Sequence, residues 1–318
     1  MYRVGIDLGG TNIVAGVVDD DFNILATAKR KTNAPRPADA VADDMAAVVF
    51  EAIEKAGLTV DDVTDFGIGT PGSVDPIKGT IGYANNLQFR DVELVRMMKE
   101  RVGKDFYIEN DANAAAYGEF MAGAGKGAKN FIAVTLGTGV GGGIVIDGKI
   151  YAGTNHAGGE LGHSTIDLNG IPCSCGRIGC WEAYASATAL IRQTKEAMQQ
   201  NPDSVMWEIC GGNLEDVNGL TAFDAMRKGD AAGSEVVKNY CNYVAVGISN
   251  IVHVFQPDVI CIGGGISKEG DTLLKPINEY ILRENYAREI AEKGNIKVAT
   301  LGNDAGIIGA AFLGDLYR

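Results

Sequence analysis

Positive charge is in short supply in this chain. Lysine and arginine together number 28 against 41 aspartates and glutamates, a formal net charge of -13. A surface with that balance repels phosphate backbones, so a nucleic-acid partner is excluded. Proline is also scarce, at 8 residues against 43 glycines, which assigns the glycines to turns and close backbone approaches rather than to disorder. Long hydrophobic runs are missing: residues 131–146 are broken by glycines between Gly137 and Gly143, and residues 243–255 are too short to cross a bilayer. No basic leader or apolar signal segment precedes the first strand, so a cytoplasmic protein with no membrane partner is expected. A reducing compartment fits the six cysteines. Three of them, Cys210, Cys241 and Cys261, sit in apolar surroundings and read as core fillers.

The other three cysteines stand close to a histidine. Glu160-Leu161-Gly162-His163 is followed by Cys173-Ser174-Cys175-Gly176-Arg177-Ile178-Gly179-Cys180-Trp181-Glu182. Three thiolates and an imidazole make a complete tetrahedral zinc set, with glycines where a loop must turn tightly round the ion. With all four positions filled by protein, no water position remains, and the zinc is expected to be structural. A disulfide reading fails on the odd number of clustered cysteines. Glu160 and Glu182 flank the knot, so a metal here would fix two carboxylates at the edge of a polar ligand pocket.

A length of 318 residues allows one large or two ordinary domains. The chain begins strand–turn–strand: Val4 to Leu8, the turn Gly9-Gly10-Thr11-Asn12, then Ile13 to Val18, with a third strand from Phe22 to Ala28. A helix is expected from Ala38 to Ala56, ending at Gly57, followed by a strand over 65–69, a Pro-Gly loop, a helix over 92–101, a strand over 106–109 and a helix over 110–121. A second strand–turn–strand opens at Phe131 to Leu136, turns through Gly137-Thr138-Gly139-Val140-Gly141-Gly142-Gly143 and resumes over 144–147. After the zinc segment, helices are expected over 186–200 and 231–255, then a strand over 259–262, the turn Gly263-Gly264-Gly265, a last strand and a final helix from Ala305. Two such openings, each followed by αβα, imply a duplicated α/β fold with a cleft between the copies. The expected domains are 1–121, joined by the C-terminal helix 305–318, and 122–304, with Gly123, Gly125 and Gly127 as a hinge.

Glycine turns between strands let backbone N–H groups converge on an anion. Thr11 and Thr138 add hydroxyl donors, and Asp7 is placed to hold Mg²⁺ or its waters. Gly137 to Gly142 also satisfies G-x-G-x-x-G, but a strand rather than a helix follows, which rejects the dinucleotide reading. Asp65-Phe66-Gly67 stands without a kinase catalytic loop and counts as coincidence. Glu109-Asn110-Asp111-Ala112-Asn113 leaves a strand and enters an alanine-rich helix. Asn110 or Asp111 can cap that helix. In a functional reading, Asp111 takes the proton of an alcohol attacking a γ-phosphate, a reaction that needs little beyond a carboxylate, Mg²⁺ and phosphate donors.

These segments, Asp7-x-Gly9-Gly10-Thr11, Glu109-Asn110-Asp111-x-Asn113-Ala114, Leu136-Gly137-Thr138-Gly139-x-Gly141-Gly142-Gly143, Gly159-Glu160-Leu161-Gly162-His163 and Cys173-x-Cys175-Gly176-x-x-Gly179-Cys180-x-Glu182, resemble in order those of the ROK family. That family comprises bacterial sugar kinases and related repressors of the actin–hexokinase–heat-shock ATPase superfamily. Asn85-Asn86-Leu87 and Cys180-Trp181-Glu182-Ala183 look similar to its glucokinase branch. The resemblance implies a duplicated ribonuclease-H-like fold and ATP-dependent phosphorylation of a hexose 6-hydroxyl, with N-acetylhexosamine, mannose or fructose as alternatives to glucose. It implies Asp111 as the base and Asn110, Glu160, His163 and Glu182 on the sugar hydroxyls, with Gly72 and Asn85 along another wall. His163 would bind zinc together with Cys173, Cys175 and Cys180, and would turn its other nitrogen to the sugar. Gly9, Gly10, Thr11, Asn12, Gly137, Thr138 and Gly139 would hold ATP phosphates, Asp7 the Mg²⁺, and Gly263, Gly264 and Gly265 the adenosine. A homodimer or homotetramer is expected. A repressor of the family would carry a helix-turn-helix ahead of the first strand, where this chain shows none, and a sugar sensor would not need Asp111.

Overall fold

The computed structural model describes residues 1–284, 286 and 295–318. They form two compact units, the first made of Met1–Ile132, Gly143–Gly159 and Thr300–Arg318, the second of Ala133–Gly142 and Glu160–Ala299. In chain order the first unit supplies β1 (Tyr2–Leu8), β2 (Asn12–Asp19), β3 (Ile24–Lys31), α1 (Ala38–Lys55), β4 (Val63–Thr70), β5 (Ser73–Asp75), β6 (Thr80–Ala84), β7 (Phe89–Val92), α2 (Leu94–Val102), β8 (Phe106–Asn110) and α3 (Asp111–Met121). Next come β9 (Phe131–Leu136), β10 (Val140–Ile146) and β11 (Lys149–Ile150), and the division of units falls within β9 and β10. The second unit holds α4 (Glu182–Ala185), α5 (Ala187–Gln200), α6 (Met206–Ile209), α7 (Thr221–Arg227), α8 (Ala231–Phe255), β12 (Val259–Gly263), α9 (Asp271–Glu284) and β13 (Asn295–Val298). The chain then returns to the first unit with α10 (Ala305–Ala311) and α11 (Gly314–Tyr317).

Two mixed five-stranded sheets, β3-β2-β1-β4-β8 and β11-β10-β9-β12-β13, form the α/β framework. In the first sheet β1 runs antiparallel to β2 but parallel to β4, and β4 runs parallel to β8. Val4, Ile6, Leu8, Phe66, Ile68 and Ile108 share one face of these strands and are all buried. On one face lies α1, whose Val41, Met45, Val48 and Ala52 recur at helical spacing and are buried. It stops where Gly57 adopts φ +72 and returns its amide to Glu54 O. On the other face α10 lies almost on the backbone of the strands. A Cβ at Gly5 would stand 1.9 Å from Ile307 O, and one at Gly67 would stand 1.9 Å from Ala310 O. The same helix crosses α3 just as closely, with Gly118 against Ala305 and Gly309 against Ala114.

Several expectations change in detail. The loop expected after residue 70 contains a small antiparallel sheet, β5-β6-β7, whose short strands bury only Val74, Ile81, Ala84, Leu87 and Phe89 along this stretch and so carry little alternation. Helices α4, α6, α7 and α9 were not expected. The glycines Gly141 to Gly143 belong to β10 rather than to a turn. Gly143 is bare because α3 passes there: a Cβ would meet Ala116 Cβ at 2.3 Å. Gly123 and Gly125 are likewise sites of close packing, against the Glu119 carboxylate and the Phe131 ring.

Candidate functional site

The zinc segment has almost no regular structure, only the bridges Thr165–Cys180 and Pro172–Ile178 and a short turn at Leu161–His163. Its shape comes from glycine and from its donors. Gly176 and Gly179 have φ of +85 and +71, and a Cβ at Gly179 would lie 1.7 Å from Asp167 O. Cys173 N donates to Arg177 O at 2.8 Å, and Arg177 reaches back to His163 O at 3.1 Å. The ligand atoms of His163, Cys173, Cys175 and Cys180 all lie within 4.8 Å of one another. Cys175 Sγ is 3.7 Å from Cys180 Sγ, and Cys173 Sγ is 3.8 Å from His163 Nδ1. Metal–sulfur bonds of about 2.3 Å in a tetrahedron give sulfur–sulfur edges of about 3.8 Å, so the donor set fits zinc in both chemistry and size. When bound, zinc would keep the thiols as thiolates and cross-link the segment. Without metal, burial and the neighbouring thiols hold the Cys180 thiol up at about 12, whereas the Arg177 amide lowers that of Cys175. Nδ1 is the imidazole nitrogen at the thiols, which leaves Nε2 for another partner.

Beside the knot stands a side chain whose structural role the sequence does not reveal. Trp181 is 1% exposed, donates its indole N–H to Tyr243 O at 2.8 Å, and lies over Gly247 of α8, where a Cβ would overlap the ring at 1.9 Å. It anchors the end of the knot in the core of the second unit. Glu182, the next residue, accepts Val140 N on Oε2 at 3.0 Å and Ser174 Oγ on Oε1 at 3.3 Å. Glu160 is exposed and His163 half-buried. The turn Gly137-Thr138-Gly139 is closed by Gly137 N on Gly139 O at 3.0 Å and tied to the start of α5 by Ala187 N on Gly137 O at 2.8 Å. The Thr138 side chain is exposed. Gly263 ends β12, and Gly264 and Gly265 follow beside this turn: Gly264, at φ +88, leaves only 2.3 Å between a Cβ and Leu136 O.

In the first unit, the carboxyl ends of the parallel strands β1, β4 and β8 deliver Asp7, Gly69 with Thr70, and Asn110. In open α/β sheets that edge is where ligands bind. Burial, with repulsion from Asp111, raises the Asp7 carboxyl from 3.8 to about 6. Burial also raises Asp111, opposed by hydrogen bonds from Ala112 N, its own amide and Asn110. Gly306, absent from the sequence reading, packs on Asp7; a Cβ would meet its Cγ at 3.5 Å. Asn110 caps α3, accepting Ala112 N at 2.9 Å and Asn113 N at 3.2 Å, while its Nδ2 donates to Gly72 O at 3.1 Å. Gly72 needs its φ of +102, since a Cβ would stand 2.2 Å from Tyr83 O. Asn85 is exposed and accepts the Tyr83 hydroxyl at 3.0 Å. The turn Gly9-Gly10-Thr11-Asn12 spends Gly9 N on Asn12 O at 2.9 Å, leaves Thr11 exposed, and sets Gly10 against Asn86. Asn12 Oδ1 is buried with no hydrogen-bond partner, an orphan acceptor facing the need for a ligand or water.

The expected site residues thus fall into two groups. The first unit collects Asp7, the 9–12 turn, Gly72, Asn85, Asn110 and Asp111, and the second collects the zinc ligands, Glu160, Glu182 and the glycine segments at 137–139 and 263–265. Among the described residues no helix is long and apolar enough to cross a membrane.

A two-unit α/β protein with paired glycine turns and a Cys₃His knot is a recognisable class, and comparison with known proteins gives it a name. Residues 3–315 match the profile described as the ROK family. The chain belongs to that family. It is 36% identical over 312 residues to a glucokinase of Streptomyces coelicolor, covering 98% of this chain and 96% of that one. A xylose repressor of Bacillus subtilis is 30% identical over 312 residues, which covers 97% of this chain and 75% of the repressor. A ROK family glucokinase from Streptomyces griseus, solved in complex with glucose and AMPPNP, superposes with a TM-score of 0.79 at 36% identity, covering 98% and 99% of the two chains.

Proposed function

We propose that this protein transfers the γ-phosphoryl group of ATP to the 6-hydroxyl of a hexose, with glucose as its substrate. The observation that carries the reading is the pair Asp7 and Asp111, two desolvated carboxylates at the carboxyl edge of one sheet whose protons are held more tightly than usual. One of two carboxylates at such an edge can serve as base and the other as ion holder. Asp111 takes the proton of the hexose hydroxyl as the oxygen attacks phosphorus. Asp7 holds Mg²⁺, which when bound supplies charge neutralisation at the phosphates. Gly10, Thr11, Asn12, Thr138 and Gly139 donate to phosphate oxygens, and Gly263 to Gly265 lie along the adenosine. Gly9 and Gly137 shape their turns, since their own amides are already engaged. Asn110, Glu160, His163 through Nε2, and Glu182 bind sugar hydroxyls, with Gly72 and Asn85 beside them. Zinc holds His163 and the flanking carboxylates in place and takes no part in the transfer.

The glucokinases among the relatives, and the glucose complex of the Streptomyces griseus protein, support glucose as the acceptor. The repressor relatives show that membership of the family does not by itself make a kinase; Asp111 at the carboxyl edge of the first sheet, desolvated and beside Asp7, supports the enzymatic reading. The test is kcat/KM over glucose, mannose, fructose and N-acetylhexosamines, with ATP and with polyphosphate as donors. Glucose with ATP is expected to lead by at least about tenfold, a difference of ~1.4 kcal/mol in transition-state binding. A higher value for any other sugar would reassign the substrate, and no turnover with any of them would remove the kinase reading.

A further inference from the structure

Two glutamates outside the proposed chemistry hold the helix that carries Asp111. Glu109 is 2% exposed and Glu119 is 3% exposed, and they stand at opposite ends of α3. Neither has a cationic partner among the described residues. Each is satisfied by neutral donors instead, as a buried carboxylate must be. Glu119 accepts Leu301 N on Oε1 at 2.7 Å, and Ala124 N and Thr300 Oγ1 on Oε2 at 2.9 and 3.3 Å. Glu109 accepts Asn110 N at 2.7 Å and Asn113 Nδ2 at 3.1 Å, both on Oε1, while its Oε2 accepts the phenol of Tyr317. Both carboxylates therefore join α3 to the same stretch, residues 300–318. Between them the bare backbones at Gly118 and Gly309 let α3 and α10 touch without intervening side chains.

We propose that Glu109 and Tyr317 are positioning residues for Asp111, an inference that rests on the reading of Asp111 as the base. Tyr317 fixes the Glu109 carboxylate, and the other oxygen of that carboxylate fixes the Asn110 amide and the Asn113 side chain. Asn110 in turn shares one donor with the base: the Ala112 amide lies 2.9 Å from Asn110 Oδ1 and 2.9 Å from Asp111 Oδ1. If Asn110 rotates, that amide is redistributed and the Asp111 carboxylate loses its set direction. A base misdirected by a fraction of an ångström still sits beside the sugar but no longer lines up with the proton it must take. The larger effect belongs in kcat, and KM for the hexose, to which Asn110 gives one contact among several, rises less.

The test uses the full chain. Tyr317→Phe removes one hydroxyl and keeps the ring. It is expected to lower kcat roughly 10- to 100-fold, leave KM for the hexose within about threefold, and speed amide exchange over residues 110–113 about tenfold relative to α1. Glu109→Gln keeps an oxygen for Asn110 and Asn113 and can donate its amide to the Tyr317 oxygen, so kcat should stay within about fivefold of the parent. Glu109→Ala loses both links and should fall at least as far as Tyr317→Phe. Val49→Ala in α1 controls for lost packing: it destabilises the same unit and should leave kcat unchanged. Parent-like kcat in Tyr317→Phe with unchanged exchange at 110–113 overturns the proposal. So does faster exchange spread over the whole unit, as in Val49→Ala. If the parent protein phosphorylates no hexose, the reading of Asp111 as base fails instead. The exchange at 110–113 then still decides whether Tyr317 holds this turn.

Discussion

Glu182 Oε2 accepts the Val140 amide at 3.0 Å, and a Cβ on Gly139 would stand 2.2 Å from that same oxygen. The carboxylate that follows the zinc knot is thus seated in the glycine turn that opens the second repeat. The proposed sugar ligand and the proposed phosphate turn thus share one contact. Gly139→Ala should push Glu182 out of its seat and weaken hexose binding about tenfold, ~1.4 kcal/mol. Calorimetric titration of the variant with glucose checks this, and parent-like affinity would show that Glu182 does not bind the sugar.

Asp111→Asn preserves shape and removes the proposed base. Its kcat should drop roughly 10²- to 10⁴-fold, with hexose affinity unchanged, read from single-turnover rates and equilibrium titration. Near-parent turnover would assign the proton to another group.

Cys175→Ser tests whether the proposed sugar ligands depend on the Cys₃His knot. Because the knot holds His163 directly and Glu160 and Glu182 through its flanks, metal and glucose affinity should be lost together. Zinc content by atomic absorption and glucose binding are measured on one folded sample. Zinc-free protein with normal glucose affinity would make the knot mechanical only.

Asp7 makes stability depend on pH in the opposite sense to a salt-bridged carboxylate. Its folded value of about 6 lies above the 3.8 of the free side chain, so the folded state binds the proton more tightly than the unfolded one. Its neutral form is the better tolerated one in the fold, and stability is lost as pH rises from about 4 to about 6. In metal-free protein, Asp7→Asn should therefore stabilise at pH 8 by up to about 3 kcal/mol, with the gain vanishing near pH 4. Denaturant melts at the two pH values test it; equal gains at both would mean that the carboxylate carries no burial penalty.

Much of this was legible in the residues. The Cys₃His set, the Asn110 cap, α1 and the two strand–turn–strand openings follow from side-chain chemistry and spacing that act locally. What stayed hidden acts between segments far apart in the chain. Gly5, Gly67, Gly118 and Gly309 look like ordinary glycines until α10 is laid across them. Gly247 lies in an apolar helix and gives no sign that Trp181 needs its missing side chain. Glu109 reads as part of a strand end, and only the return of Tyr317 reveals it as a buried acceptor. The strands β5 to β7 were missed because so short a sheet leaves no periodicity to read. The turn assigned to Gly141–Gly143 was misread for the opposite reason, since in a strand beside a crossing helix glycine marks proximity rather than a bend.

The division of the chain also bears on how the protein is made. The first unit is built from Met1–Ile132 and Gly143–Gly159 but is completed by Thr300–Arg318. Its central sheet, made before the second unit, has one face covered only when α10 arrives. During synthesis, the naked faces at Gly5 and Gly67 must wait while the whole second unit emerges. Translation at 5–20 residues per second would leave that surface bare for roughly ten seconds or more. Strands made before the second unit are thus completed only after it, and through that interval they are exposed to chaperones and to one another.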